Sequence, residues 1–366
     1  MNRDKSPILP TKEWLPEYSK PLVLAGPCSA ESEDQLRTIA RVLKDTGRVQ
    51  LIRAGVWKPR TRPNSFEGMG KDALGWIANV QEEVGLPFTI EVANAEHVNL
   101  ALAAGIKHLW IGARTTVNPF SVQEIADALV GQDVSVMVKN PLNPDLQLWL
   151  GAIERILAAG ITKVVAIHRG FNTFQDHIFR NSPNWEIPIE LKTLHPNLEI
   201  IVDPSHIAGQ RSLIHEVSQK AMDLGFDGLM IETHPNPDEA MSDPKQQWPL
   251  DGFQSLLDSI TLKQRHFQDS DSIDQLDQFR KLIDEIDHNL LMTIKRRLEI
   301  VDKIGQYKAD YGVTVFQLER WREILQDRIA FGQSIDVDEA LVKALWDELH
   351  KTSLKKQTDI ARNRKS

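Results

Sequence analysis

Cysteine is almost missing from this chain. A single residue, Cys28, in 366 excludes an intramolecular disulfide and fits a reducing compartment. Long apolar runs are missing as well: no stretch approaches the ~18 uncharged residues that a transmembrane helix needs. Residues 1–20 hold Pro10, Pro16 and scattered charges but no apolar signal core. Together these absences point to a cytoplasmic protein. Positive charge is not in excess either. With 43 basic against 51 acidic residues the net charge is −8, which argues against bulk binding to nucleic acid or an anionic membrane. What remains is a soluble composition, 41% hydrophobic and 26% charged, in a chain long enough for one large domain and a small one.

From Pro21 to about Gln264 short apolar runs alternate with helix-like segments. The runs are Leu22–Ala25, Val49–Arg53, Phe88–Val92, Lys107–Ile111, Val134–Lys139, Lys163–His168, Leu198–Val202 and Gly228–Glu232. Amphipathic stretches between them, such as Glu33–Lys44, Asp72–Val84 and Leu146–Ala159, often end in glycine, as a helix C-cap wants. Eight β-then-α repeats over about 240 residues predict a (β/α)8 barrel, an α/β fold of typically ~250 residues. An open doubly wound sheet is the alternative, but no G-x-G-x-x-G follows the first run.

Polar residues gather at the C-terminal ends of these runs, the face where barrel active sites sit. The second run leads into a turn-rich segment carrying Arg53, Lys58, Arg60, Thr61 and Arg62 among Gly55, Pro59 and Pro63. Alone, it would read as a solvated basic loop. With Arg114, Lys139 and Arg169 from later ends, however, it predicts a cavity ringed by cations, suited to phosphates and carboxylates. Cys28, His206, Glu232 and Asp243 come from the first, seventh and eighth ends, which are neighbours once a barrel closes. A thiolate, an imidazole and two carboxylates there predict a divalent transition-metal site. Singly, the cysteine would be a packed side chain and His206 a turn cap.

These ends carry a resemblance. GPCS (26–29), KPRT (58–61) with Arg53 before it, IGAR (111–114), Lys139, HRG (168–170), DPSH (203–206) and the late Glu232 and Asp243 resemble 3-deoxy-D-arabino-heptulosonate 7-phosphate (DAHP) synthases over about residues 22–247. The likeness is to the short-barrel microbial type, with no regulatory domain expected ahead of the barrel. It implies condensation of phosphoenolpyruvate with erythrose 4-phosphate, the entry step of aromatic biosynthesis (the shikimate pathway). It assigns phosphoenolpyruvate to Arg53, Lys58, Arg114, Lys139 and Arg169, and the sugar phosphate to Arg60 and Thr61. The metal ligands would be Cys28, His206, Glu232 and Asp243, with Mn2+ first and Fe2+, Zn2+ or Co2+ as alternatives. Lys58 is the expected proton donor to the aldehyde, a metal-bound water being its competitor. The rival is a 3-deoxy-manno-octulosonate 8-phosphate synthase, which resembles K-A-N-R where this chain has Lys58-Pro59-Arg60-Thr61.

The barrel is expected to span residues 1–262, with a polar linker over 263–273. Beyond it, Leu276, Phe279, Ile283, Ile286, Leu290, Ile294, Leu298, Val301 and Ile304 keep helical spacing for about eight turns. Such a helix must bury its stripe against a partner. Gln317–Ala330 and Asp338–Lys356 add helix, so 274–366 reads as an all-α domain, with a frayed basic tail over Lys355–Ser366. Arg297 and Lys308 share a face, whereas Arg280 suits a site on another helix or subunit. An ordinary solvated charged helix is the duller reading. This half resembles the all-helical chorismate mutases. The resemblance implies an intertwined homodimer that binds chorismate or prephenate through Arg280, Arg297, Lys308, Arg320, Ser353 and Gln357, with Lys308 and Gln357 catalytic. Two positions depart from the family pattern: Gln317 replaces an acidic residue, and Trp321 replaces a glutamate that grips the substrate hydroxyl. The whole then reads as a bifunctional enzyme whose helical half also mediates feedback inhibition. A purely ligand-sensing or dimerising helical half is the alternative.

Overall fold

The computed structural model describes residues 8–15, 18–58, 66–172, 178–263 and 270–363, with side chains from 276 to 362 in the last of these. Contacts divide the chain into Met1–Arg265 and His266–Ser366.

The first unit is a closed (β/α)8 barrel. Its strands are β1 (Leu22–Gly26), β2 (Leu51–Ala54), β3 (Phe88–Val92), β4 (His108–Ile111), β5 (Ser135–Lys139), β6 (Lys163–His168), β7 (Glu199–Val202) and β8 (Gly228–His234). Each pairs in parallel with the next, and β1 also pairs with β8, which closes the ring. A short strand, β9 (Trp248–Pro249), adds to the end of β8. The intervening helices are α1 (Glu33–Asp45), α2 (Lys71–Val84), α3 (Ala95–Ala103), α4 (Ala113–Thr116) and α5 (Pro119–Leu129). They continue with α6 (Leu146–Ala158), α7 (Glu186–Leu194), α8 (Pro204–Ala208), α9 (Ile214–Asp223) and α10 (Phe253–Ser259). All eight predicted strands are present. Helix α7 was not foreseen, because Pro183 and Pro188 interrupt the pattern that would announce it.

Local chemistry fixes the helix ends. Ser32, Asn94 and Asp145 accept backbone N–H groups at the starts of α1, α3 and α6. Gly85 closes α2 in the left-handed region at φ 70°, where a Cβ would be strained.

Strand alternation sorts the core into two layers. Leu22, Leu24, Leu51, Trp110, Met137, Val165, Ile167, Ile201 and Met230 fill the barrel interior. Their neighbours Val23, Ala25, Ile52, Leu109, Val136, Val164, Ile200 and Leu229 face the helices. By the same parity the next inward positions are Arg53, Glu91, Lys139, Arg169, Asp203 and Glu232. The barrel axis therefore passes from apolar to ionised at the ends of six of the eight strands, β1 and β4 giving Gly26 and Gly112 instead.

His168 takes the outward parity and is fully buried, with Phe171, Trp149 and Trp185 around it. Burial pushes its pKa down to about 3 from 6.5. Above pH 6.5 the ring is neutral whether folded or unfolded; below that the unfolded chain takes up a proton that the folded barrel refuses. Barrel stability should therefore fall by up to about 1.4 kcal/mol per pH unit on acidification through this window. His168→Phe should flatten that slope, as urea midpoints of both proteins measured from neutral to acid pH will show.

The second unit comprises α11 (Ser270–Asp310), α12 (Leu318–Ser334) and α13 (Glu339–Asn363). Helix α11 opens inside the stretch expected as linker, of which residues 264–269 lie outside those described. The tail expected to fray is helical through Asn363. It is tied down where Lys356 donates to Asp302 at 2.8 Å and where Gln357 is buried. The C-terminal half of α11 packs on α13: Val301 is buried, and a Cβ on Gly305 would come within 3.1 Å of Gln357 and Ile360 side chains. Over residues 279–291 its apolar stripe is exposed. Phe279, Leu282, Ile283, Ile286, Leu290 and Leu291 are each more than half exposed. No helix among the described residues is long and apolar enough to cross a membrane.

Candidate active site

A cavity of about 250 Å3 opens at the C-terminal mouth of the barrel. Lys58, Arg114, Lys139, Arg169 and Arg180 bring positive charge to it, opposite Glu91, His206 and Asp243. Four of the five residues expected to hold phosphoenolpyruvate thus line one space. The fifth, Arg53, lies below them, 1% exposed, with its guanidinium 3.0 Å from Glu232 Oε1 and its Nη2 donating to the Cys28 carbonyl at 3.3 Å. Arg60 and Thr61 lie outside the described residues.

Trp110 forms the floor. The Arg53 guanidinium and the Lys139 ammonium lie 5.1 and 5.7 Å from its ring centre. Its Nε1–H donates to Glu91 Oε2 at 3.0 Å. Gly112, the next inward residue after Trp110, leaves room for that carboxylate: a Cβ there would sit 2.1 Å from Glu91 Oε1.

The wall from β7 and β8 is a relay of charge pairs. Asp203 accepts from Lys139 Nζ at 2.8 Å, lies 2.8 Å from His206 Nδ1, and accepts the His206 backbone N–H at 3.1 Å. Burial opposes ionisation of Asp203, but His206 and Lys139 outweigh it and hold its carboxyl well below the usual range. Glu232 follows the same logic, lowered by Arg53, His206 and Lys58 against the cost of burial. Asp243 is drawn down to about 2, chiefly by Arg180 and His206 against burial. Burial draws His206 downward. It also pushes the Cys28 thiol up to about 12, helped by Glu232, even though Lys58 Nζ donates to Sγ at 2.9 Å. A thiolate in this setting requires more positive charge than Lys58 and Arg53 supply.

The four expected metal ligands meet at this wall as two pairs. Cys28 Sγ is 3.4 Å from Asp243 Oδ2, and His206 Nε2 is 3.9 Å from Glu232 Oε1. Among the described residues no three His, Cys, Asp or Glu side chains enclose a common point as they stand. The donor set nonetheless fits a divalent transition metal. Glu232 Oε1 is ion-paired to Arg53 but makes no hydrogen bond of good geometry, and a high-pKa thiol beside two carboxylates is chemistry that such an ion would satisfy.

Several members of the site gave no sequence signal. Gln246 donates to Glu232 Oε2 at 2.7 Å and accepts from Arg180 at 2.6 Å, while Arg180 also donates to Asp243 Oδ1 at 3.1 Å. Gln247 accepts the Cys28 backbone N–H at 3.0 Å. Asp203 could have been found, since it precedes Pro204 in the same four-residue motif as His206.

In the helical unit Arg297 Nη1 donates to Ser353 Oγ at 2.9 Å, and Lys308 Nζ donates to the Val315 carbonyl at 2.7 Å. Ser353 and Gln357 are buried on the facing side of α13. Arg280 and Arg320 do not join them in this chain; they are exposed and pair with Asp277 and Glu323.

A closed (β/α)8 barrel whose mouth joins a cationic cavity to a thiol, an imidazole and carboxylates defines an enzyme built for polyanionic substrates. The chain belongs to the DAHP synthetase I family, whose model matches residues 17–267, and carries a chorismate mutase type II domain over 279–358. A phospho-2-dehydro-3-deoxyheptonate aldolase of Thermotoga maritima is 32% identical over 239 residues, covering 65% of this chain and 68% of that protein. A 2-dehydro-3-deoxyphosphooctonate aldolase of Rhodopseudomonas palustris is 30% identical over 258 residues, 65% of this chain and 86% of that one. The crystal structure of the Thermotoga maritima DAHP synthase superposes with a TM-score of 0.59 at 28% identity, over 65% of this chain and 67% of that one. The chain thus unites a DAHP synthase and a chorismate mutase, both domains of the shikimate pathway.

Proposed function

We propose that the barrel condenses phosphoenolpyruvate with erythrose 4-phosphate in a metal-dependent reaction, and that the helical unit rearranges chorismate to prephenate and reports prephenate back to the barrel. The observation that carries the barrel reading is the cation-lined cavity at the strand ends, with Cys28, His206, Glu232 and Asp243 on one wall. Arg114, Lys139 and Arg169 would hold the phosphate and carboxylate of phosphoenolpyruvate, and Arg60 and Thr61 the sugar phosphate. A divalent metal bound by Cys28, His206, Glu232 and Asp243 would polarise the aldehyde. The enol carbon attacks that aldehyde carbon, and its oxygen takes a proton. Lys58, whose charge Cys28 and Glu232 sustain against burial, is the group placed to supply it. Water then adds to the oxocarbenium-like carbon left behind, and the phosphate departs. The surrounding cations stabilise charge on both leaving and arriving oxygens.

Arg297, Lys308, Ser353 and Gln357 would hold a compact dicarboxylate conformer, since a pericyclic rearrangement needs only orientation and charge at the ether oxygen. The exposed apolar stripe of α11 supports a homodimer in which Arg280 reaches a partner's site.

Phosphoenolpyruvate loss with erythrose 4-phosphate tests these statements together. Chelation should abolish turnover, a divalent metal should restore it, and prephenate should suppress it. Turnover that survives chelation would remove the metal, and indifference to prephenate would remove the regulatory role. A preference for arabinose 5-phosphate would overturn the sugar assignment.

A further inference from the structure

In the helical unit His350, Ser353 and Gln357 are spaced three and four residues apart on α13 and so share one face. Ser353 is occupied by Arg297. Two polar atoms on this face are not: His350 Nε2 and Gln357 Oε1 are both buried without a hydrogen-bond partner. Such atoms cost stability unless something arrives to meet them.

The His350 ring is not free to turn away. It stacks on Trp321 of α12 with centroids 3.9 Å apart and planes within 13°, and Phe316 closes another side at 5.9 Å. Trp321 can donate only through its indole N–H, so its ring face fixes the imidazole without satisfying Nε2. Burial, and then the charges of Arg297 and Lys308, lower the His350 pKa, while Asp347 pulls the other way. The ring is therefore disfavoured as a cation in a site that already has two. A carboxylate of a ligand would go to Arg297, and Lys308 would serve the ether oxygen. A neutral imidazole beside them is suited to a neutral group that can both give and take a hydrogen bond.

We propose that His350, clamped by Trp321, binds the ring hydroxyl of a hydroxylated dicarboxylate in the helical site and so selects for it. This rests on the mutase reading above. Since Nε2 can donate or accept according to tautomer, a hydroxyl satisfies it either way.

The test uses the full chain and two substrates, chorismate and its analogue with hydrogen in place of the ring hydroxyl. The wild type should prefer chorismate by about tenfold or more in kcat/KM. His350→Phe, which keeps the stack and removes the nitrogen, should erase that preference by lowering the chorismate value toward the analogue's, and His350→Gln should recover part of it. His350→Ala is the second variant should the phenyl ring not be accommodated; it too should show no preference. A His350→Phe or His350→Ala protein that still discriminates as the wild type does would overturn the proposal. A wild type that turns over neither compound would instead overturn the mutase reading and the proposal with it.

Discussion

Glu232→Ala should leave the barrel without useful condensation, its rate falling about 10³-fold, and should destabilise it by about 3–5 kcal/mol. Both effects come from one carboxylate. Oε1 lies 3.0 Å from the Arg53 guanidinium, and Arg53 and Glu232 are both essentially removed from water. Removing the acid leaves a buried cation without its strongest counter-charge, and that loss of compensation sets the size of the stability loss. The second oxygen holds Gln246, and through it Arg180, so the wall around Asp243 loosens too. The double variant Arg53→Met with Glu232→Met separates the two roles. It should regain most of the lost stability, because no isolated charge remains, and none of the activity. Urea unfolding of the barrel and the rate of phosphoenolpyruvate loss measure the two quantities. A single variant that stays as stable as the wild type would mean that solvent reaches Arg53.

Lys308→Met should lower kcat for the chorismate rearrangement by about 10²–10³-fold, move KM little, and leave the barrel's rate unchanged in the absence of effector. An ammonium has three donors, and Lys308 spends one on the Val315 carbonyl at 2.7 Å, just beyond the end of α11. That bond aims the remaining donors without exhausting them. Charge develops at the ether oxygen as the bond breaks, so a donor fixed there acts more on the transition state than on the bound substrate. Lys308→Arg should be nearly as damaging, because a planar fork cannot both reach Val315 and keep the same aim. Equal losses in kcat and affinity would reassign Lys308 to substrate binding.

The barrel was legible because its short apolar strands alternate with helical stretches and its chemistry sits at the strand ends. Arg53, Lys139 and Glu232 fall on the inward parity of runs whose earlier members are plainly apolar, so strand period carries information about them. Gln246 and Gln247 follow no period and belong to no motif; only the path of the chain after β8 brings them to Glu232 and Cys28. Asp203 would read as a turn cap, which it also is, and nothing local signals its second contact with Lys139. Helix α7 was hidden by its prolines. On α11 the long stripe was visible, but a stripe says that a surface is to be covered and not by what. Trp321 registered only as a departure from a family pattern, since its stacking partner His350 lies 29 residues away on another helix.

The inward layer of Arg53, Glu91, Lys139, Arg169, Asp203 and Glu232 also limits how such a barrel can diversify. Arg53 with Glu232 and Lys139 with Asp203 are paired across strands, so changing one exposes the charge of the other, and these four positions can drift only in concert. Loops beyond the strand ends carry no such obligation. New sugar lengths are therefore to be sought beyond the strand ends, while the paired ring stays fixed. Proteins named for heptonate and for octonate products each align with 65% of this chain, as a shared engine with exchangeable mouths would.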